Sequence, residues 1–406
     1  MRGAGTRRRA RTRGDAPPRD RPARSTRPTR PTGSILPRRP RSALIHLKGP
    51  RLARSHRLPR AMPLRGCGGS TPPPPGQDSI AGDTHPEPVM TRPASTALAG
   101  IRRPLVGLVA ERGQGLDPIR MAVIHPCDAV SFVGAIKAWE AGLIEPVLVG
   151  PEAKIRAVAG SVGVGLDGIE IVDAPHSHAA AEAAVALAAA CEVAALMKGA
   201  LHTGEVMAAA LRKGPGLRTE RRMSHVYALD VSHHPRPLFV TDTGVNIVPS
   251  LDDKRDIVQN AIDLCHALGM AEPKVAVLSA IETITPRIAS TLDAAALCKM
   301  AERDQITGGI VDGPLALDNA VSGLAAATKH IVSPVAGQAD VLVAPDLVSG
   351  NMLAKQLIYL AGADAAGLIL GARVPIVLTS RSDGEEARVL SCAIAQLLAH
   401  HRSRLA

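Results

Sequence analysis

Two kinds of apolar pattern alternate from Pro104 onward. Short runs such as "LVGLVA" (105–110), "MAVIH" (121–125), "PVLVG" (146–150), "IEIVD" (169–173) and "AALM" (194–197) predict buried strands. Longer amphipathic stretches lie between them. Residues 128–143 predict a helix with Asp128 as N-cap and Gly142 at its end, and the Ala-rich stretch 178–192 predicts another. Strand, helix, strand in this order means a parallel sheet with helices on both faces. The runs 225–231 and 238–243 are joined by a short polar turn and predict a hairpin. Then follow helix 252–269, strand 274–279, helix 286–302, strands 308–313 and 340–344, helix 351–362, strands 366–371 and 375–380, and a last helix over 385–401. The pattern divides into a first α/β domain (96–216 with 367–406) and a second (217–366), because the last strand and helix return to the first domain.

Charge separates the first fifth of the chain from the rest. Residues 1–89 hold 20 Lys/Arg against 5 Asp/Glu, a charge of +15. Residues 90–406 hold 28 against 32, a charge of −4, which recovers the total of +11. Residues 1–89 also hold 16 of the 33 prolines and no aromatic residue, too little apolar surface to offset the entropy of ordering. Residues 1–95 are therefore expected to be a disordered Arg/Pro-rich arm. Three readings stay open for it: an arm for an anionic polymer, a targeting peptide, or an over-extended start with translation beginning at Met90 or Met62. The third is favoured, since Arg, Pro, Gly and Ala are what GC-rich DNA encodes without selection for a fold.

Other classes are excluded by composition. No run of 18 apolar residues exists, so no membrane-spanning helix is expected. The six cysteines form no C-x-x-C pair, which argues against a zinc knuckle and fits a reducing, cytoplasmic setting. Only five aromatic residues leave no stacking platform for single-stranded nucleic acid.

Ligands of parallel α/β sheets bind beyond the carboxyl ends of strands. Four loops qualify. In "ALMKGALHTGE" (195–205), a strand ending at Met197 leads through Lys198, His202 and Thr203 to a helix starting near Glu205, the parts of an anion site. In "PIVLTSRSDGEEARV" (375–389), a strand runs into Ser380, Arg381, Ser382 and Asp383. A guanidinium there can hold a phosphate by two parallel hydrogen bonds. Asp383 or Glu386 can accept a proton, and the same acids also suit a helix cap. The third loop holds Asp346, Asn351 and Lys355; the fourth holds Asp242, Thr243 and Asn246. Taken singly, each of these last two reads as turn chemistry. His125-Pro-Cys-Asp128 has no second ligand at a metal spacing, and "GSVGVG" (160–165) matches a dinucleotide fingerprint only loosely.

Taken together, "MKGALHTGE", "TDTGVNIVPSLDDKRDIVQNAID", "GGIVDGPLALDNAVS", "SPVAGQADVLVAPDLVSGNMLAKQL" and "PIVLTSRSD" resemble the phosphate acetyltransferase and phosphate butyryltransferase family over residues 104–402. The "T-S-R-S-D" and "M-K-G-x-x-H-T" forms lean to the butyryl-type branch, some members of which are fused to an enoyl-CoA hydratase domain. The resemblance implies the reaction acyl-CoA + phosphate ⇌ acyl phosphate + CoA, with coenzyme A and phosphate as substrates and no metal or redox cofactor. It implies a two-domain fold like that of the isocitrate and isopropylmalate dehydrogenases, an interdomain cleft, and a homodimer. By resemblance, Ser380 hydrogen-bonds the CoA sulfur and Arg381 steadies charge on the carbonyl or phosphate. The acetyl-type general base falls at Ala387, so the base passes to Asp383 or, second, to Glu386. Lys198, His202, Thr203, Asp346 and Asn351 complete the expected substrate-binding set. Two rivals are a metal- and NAD-dependent dehydrogenase on the same superfold, and nucleic-acid binding through the basic arm.

Overall fold

Proline and a distant carboxylate decide the first element. A computed structural model describes residues 103–405, except Pro215, His233, Arg381 and Ser382. The arm expected over 1–95 lies outside the described residues. Residues 105–110, expected as a strand, are helical: α1 spans Pro104–Arg112. Pro104 occupies the first turn, where a missing N–H costs nothing. Leu105 and Val109, one helical turn apart, are buried. The Asp230 carboxylate accepts the backbone N–H groups of Leu105 (2.7 Å) and Val106 (3.1 Å), two donors that a helix start leaves free. A six-residue apolar run carries no such information by itself.

The first half continues with β1 (Ile119–Ile124), α2 (Ala129–Glu140), β2 (Ile144–Gly150), α3 (Glu152–Val162), β3 (Glu170–Asp173), α4 (Ser177–Ala189), β4 (Ala195–Lys198) and α5 (Thr203–Ala210). Asp128 caps α2 as expected, accepting from Ser131 N–H. The glycine-rich stretch 160–165 closes α3, with Gly163 in the left-handed region. The second half holds β5 (Ser224–Asp230), β6 (Leu238–Thr241), α6 (Leu251–Ala267), β7 (Lys274–Leu278), α7 (Ala289–Ala301), β8 (Ile310–Leu315), α8 (Leu317–Val321), α9 (Gly323–Thr328), β9 (Val341–Val343), α10 (Leu347–Tyr359) and β10 (Asp364–Leu370). The chain ends with β11 (Ile376–Val377) and α11 (Glu385–Leu405). The short helices α8 and α9 carry no periodic signal long enough to predict them.

All eleven strands form one sheet, ordered β3-β2-β1-β4-β11-β10-β5-β6-β9-β7-β8. Strands β3, β2, β1, β4 and β11 run parallel. β10 opposes both β11 and β5, and β5 opposes β6 in the expected hairpin. β6, β9, β7 and β8 are again parallel, but run against the first set. The chain crosses between the halves after β10, since β10 pairs with β5 while β11 pairs with β4.

Side-chain alternation sends successive strand residues to opposite faces. On one face, Met121, Val123, Met197, Phe239, Val341 and Val343 belong to a single core that runs under both halves, where α11 adds Ile394 and Leu398. On the other face the core is in two pieces. Ile124, Leu196 and Ile376 pack with α4 and α5, whereas Leu229, Val240 and Leu342 pack with α8 and α10. These two pieces leave a gap in the core over the middle of the sheet.

Candidate active site

The floor of the gap is built from residues at the ends of strands. Lys198 closes β4 beside Leu378, because Met197 pairs with Val377. Leu196, Ile376 and Leu378 lie on the divided face, and alternation along β4 puts Lys198 there too. Expected as a loop lysine, Lys198 is a strand residue only 4% exposed, and its Nζ donates to the Gly199 carbonyl at 3.3 Å. After Val377 the chain leaves the ladder, so the expected strand 375–380 shrinks to two residues.

Ser380 and Asp383 are in direct contact. The Ser380 backbone N–H donates to the Asp383 carboxylate at 2.6 Å, and the Asp383 N–H returns to the Ser380 carbonyl at 3.2 Å. Arg381 and Ser382 lie outside the described residues. α11 begins at Glu385, with Glu385 and Glu386 in its first turn at the positive end of the helix.

Arg388 holds the same segment from beneath. Its guanidinium donates to the Thr379 hydroxyl through Nη1 and to the Ser380 carbonyl through Nη2 (3.3 Å). It is 3% exposed, its Nε has no partner, and burial pulls its pKa down. Gly134 of α2 makes room for it: a Cβ there would fall 2.5 Å from the Arg388 Cδ. The sequence reading passed over Arg388. Its signal was a cation spaced with Ser391, Cys392 and Ala395 on the apolar stripe of the last helix.

His225 was also passed over, as one residue of a buried strand. The structure makes it one of the contacts between the halves. Its Nδ1 lies 2.5 Å from the Thr243 hydroxyl and its Nε2 lies 3.2 Å from the Leu378 carbonyl. Burial holds the imidazole below its usual range, opposed by the nearby charges of Asp242 and Asp383. A carbonyl can only accept, so Nε2 carries the proton and Nδ1 accepts from Thr243. Tyr227 meets the ring edge-on at 4.7 Å, and burial, with Asp383 nearby, pushes its phenol up.

Asp242, Thr243 and Asn246 form a turn, as expected from their residue types. The Asp242 carboxylate collects the N–H groups of His225, Gly244, Val245 and Asn246. Asn351 reaches this turn, its Nδ2 donating to the Thr243 carbonyl at 3.0 Å. Other expected residues are bonded locally. Asp346 caps α10, accepting from the Ser349 N–H at 2.9 Å and hydroxyl at 3.0 Å. His202 precedes α5, which starts at Thr203 and not near Glu205. Glu205 closes the cap instead, accepting from the His202 N–H (2.7 Å) and the Ser177 hydroxyl (2.5 Å). Among the described residues, no three His, Cys, Asp or Glu side chains cluster as a metal site.

Known proteins resemble this chain in sequence and fold. Residues 177–396, which include Lys198, His225, Ser380, Asp383 and Arg388, match the family model described as phosphate acetyl/butaryl transferase. The phosphate acetyltransferase of Rhizobium meliloti is 59% identical over 285 residues, covering 70% of this chain and 90% of the relative. The phosphate butyryltransferase of Clostridium acetobutylicum is 41% identical over 261 residues, covering 64% and 87%. The crystal structure of a branched-chain phosphotransacylase from Enterococcus faecalis V583 matches with a TM-score of 0.61 at 29% identity, over 70% of this chain and 99% of that one. The chain therefore belongs to the phosphate acetyl/butyryl transferase family.

Proposed function

We propose that this chain is a phosphate acyltransferase that interconverts a short-chain acyl-CoA plus phosphate with acyl phosphate plus CoA, the acyl group being acetyl or butyryl. The observation that carries the reading is the direct contact of Ser380 with Asp383 in a chain that shares 59% identity with a phosphate acetyltransferase.

The chemistry follows from the charges. Both substrates are polyanions, so the site needs fixed cations, and Lys198 and Arg381 supply them. Toward acyl-CoA, the CoA thiol loses its proton to Asp383 and the thiolate attacks the acyl-phosphate carbonyl. Ser380 orients the sulfur. Arg381 stabilises the oxyanion as charge develops, and the phosphate leaves. Holding both substrates in line supplies much of the acceleration. No covalent acyl-enzyme, metal or redox cofactor takes part. The domains 96–216 with 367–406 and 217–366 act as the two walls. Free cysteines at 127, 191, 265, 298 and 392 support a cytoplasmic setting. Among the described residues, no helix is long and apolar enough to cross a membrane.

The test is phosphate-dependent release of free thiol from acetyl-, propionyl- and butyryl-CoA. Release that requires phosphate establishes the reaction, and the ranking names the acyl group. No release from folded protein overturns the proposal. Arg381→Ala should lower turnover by roughly a hundredfold or more with the fold intact, the scale of losing one oxyanion donor. Near-normal turnover would refute the role of Arg381.

A further inference from the structure

His225 belongs to no motif that carries the family resemblance, yet its side chain joins the two halves at the segment before Ser380. It is 1% exposed. Through Nε2 it holds the carbonyl of Leu378, two residues before Ser380 and 153 positions away in sequence. Through Nδ1 it engages Thr243, whose carbonyl in turn accepts from Asn351 at the start of α10. A chain of bonds thus runs from α10, through Thr243 and His225, to the segment that carries Ser380.

The packing leaves the ring little freedom. Gly367 lies beneath it: a Cβ there would sit 2.3 Å from the Leu378 carbonyl oxygen and 3.2 Å from the His225 Nε2. Gly244 closes on the other side, where a Cβ would be 3.1 Å from the ring. Beyond Val377 the segment has lost its ladder, so its course depends on a few bonds. Arg388 holds Thr379 and Ser380 on the undivided side; the Leu378 N–H bonds to Gly367 at 2.9 Å; the Leu378 carbonyl is held by His225.

We infer that His225 is a positioning residue for the acyl transfer: through the Leu378 carbonyl it fixes the Ser380 strand tip against the second half of the molecule. It touches neither substrate. It acts by removing the freedom of a segment whose side chains must meet the sulfur in line. This inference rests on the proposed site at Ser380, and Ser380→Ala separates the two.

The experiment measures kcat and KM for phosphate-dependent CoA release, with thermal unfolding as a check on the fold, in full-length His225→Leu, His225→Gln, Thr243→Val and Ser380→Ala. His225→Leu should lower kcat roughly tenfold to a hundredfold, the scale of a small misplacement of reacting groups, with KM for both substrates unchanged. His225→Gln should recover most of the loss, because its amide N–H can reach the Leu378 carbonyl. Thr243→Val should show a partial kcat loss at unchanged KM, and it carries the test if His225→Leu does not fold. Full kcat in His225→Leu or in Thr243→Val, with Ser380→Ala inactive, overturns the inference alone. So does His225→Gln no better than His225→Leu, since packing would then be all that the ring provides. Full activity in Ser380→Ala overturns the site and the inference with it.

Discussion

A neutral imidazole at the floor of the gap has a consequence for stability. Burial lowers the folded pKa of His225 from its ordinary 6.5. As pH falls below about 6.5, the unfolded chain binds a proton that the folded protein refuses. The unfolded state then holds more protons, so this residue's share of stability is intact above that pH and is lost as pH falls. His225→Gln removes the titration. Between about pH 7.5 and about pH 5, where an ordinary histidine titrates, wild-type Tm should fall more steeply than that of the variant. Parallel slopes would show that the ring is not buried in the neutral form. Thiols follow the same logic. Burial pushes Cys298 and Cys392 up to about 12, so both stay protonated and inert at neutral pH. Among the described cysteines, Cys191 is the exposed one. Iodoacetamide should label Cys191 in the native protein and leave activity intact; loss of turnover on that labelling would give a thiol a part that the mechanism does not.

The first helix depends on one residue far along the chain. Asp230 ends β5, is 5% exposed and accepts the N–H groups of Leu105 and Val106. Its acidity is weakened chiefly by burial, and those two bonds pull the other way. Asp230→Ala would leave two backbone donors without a partner at a buried helix start. Loss of a capping side chain costs about 1 kcal/mol, up to about 2 kcal/mol. Urea unfolding should show a midpoint shift of that size with an unchanged slope. No shift would mean that α1 draws its stability from Leu105 and Val109 alone. The same pair explains why this element was misread: six apolar residues in a row suit a strand or a helix, and the deciding carboxylate lies more than a hundred positions away.

Among the described residues, one face of α10 is exposed and apolar. Val348 and Met352 of α10 are 63% and 66% exposed, and Tyr359 further along is 55% exposed. Ile247, whose carbonyl accepts the Leu347 N–H at the start of that helix, is 69% exposed. Exposed apolar groups gathered in this way mark a contact surface, and a two-fold pair of identical chains is its commonest form. Under the homodimer reading, light scattering should give twice the 42.2 kDa of one chain. Val348→Glu should shift that mass toward one chain. A dimer that survives Val348→Glu at low concentration would place the interface elsewhere.

Local pattern alone was enough for the α/β class, the hairpin at 225–243 and the Asp128 cap. Each depends on neighbours within a few positions: alternation, capping and turn chemistry act over one turn or one strand. The family motifs also lie on such short segments, which is why the reaction could be read before the fold. What the tertiary structure decided were contacts between distant residues. Strand order placed β11 beside β4 and set Lys198 next to Leu378. The division of one core face into two pieces opened the gap. Arg388 and His225 look, in one dimension, like a stray cation in an apolar stripe and a polar residue in a buried strand. Only packing reveals that one holds the Thr379 hydroxyl and Ser380 carbonyl and the other the Leu378 carbonyl, because hydrophobic periodicity encodes which face is buried and not what that face will meet.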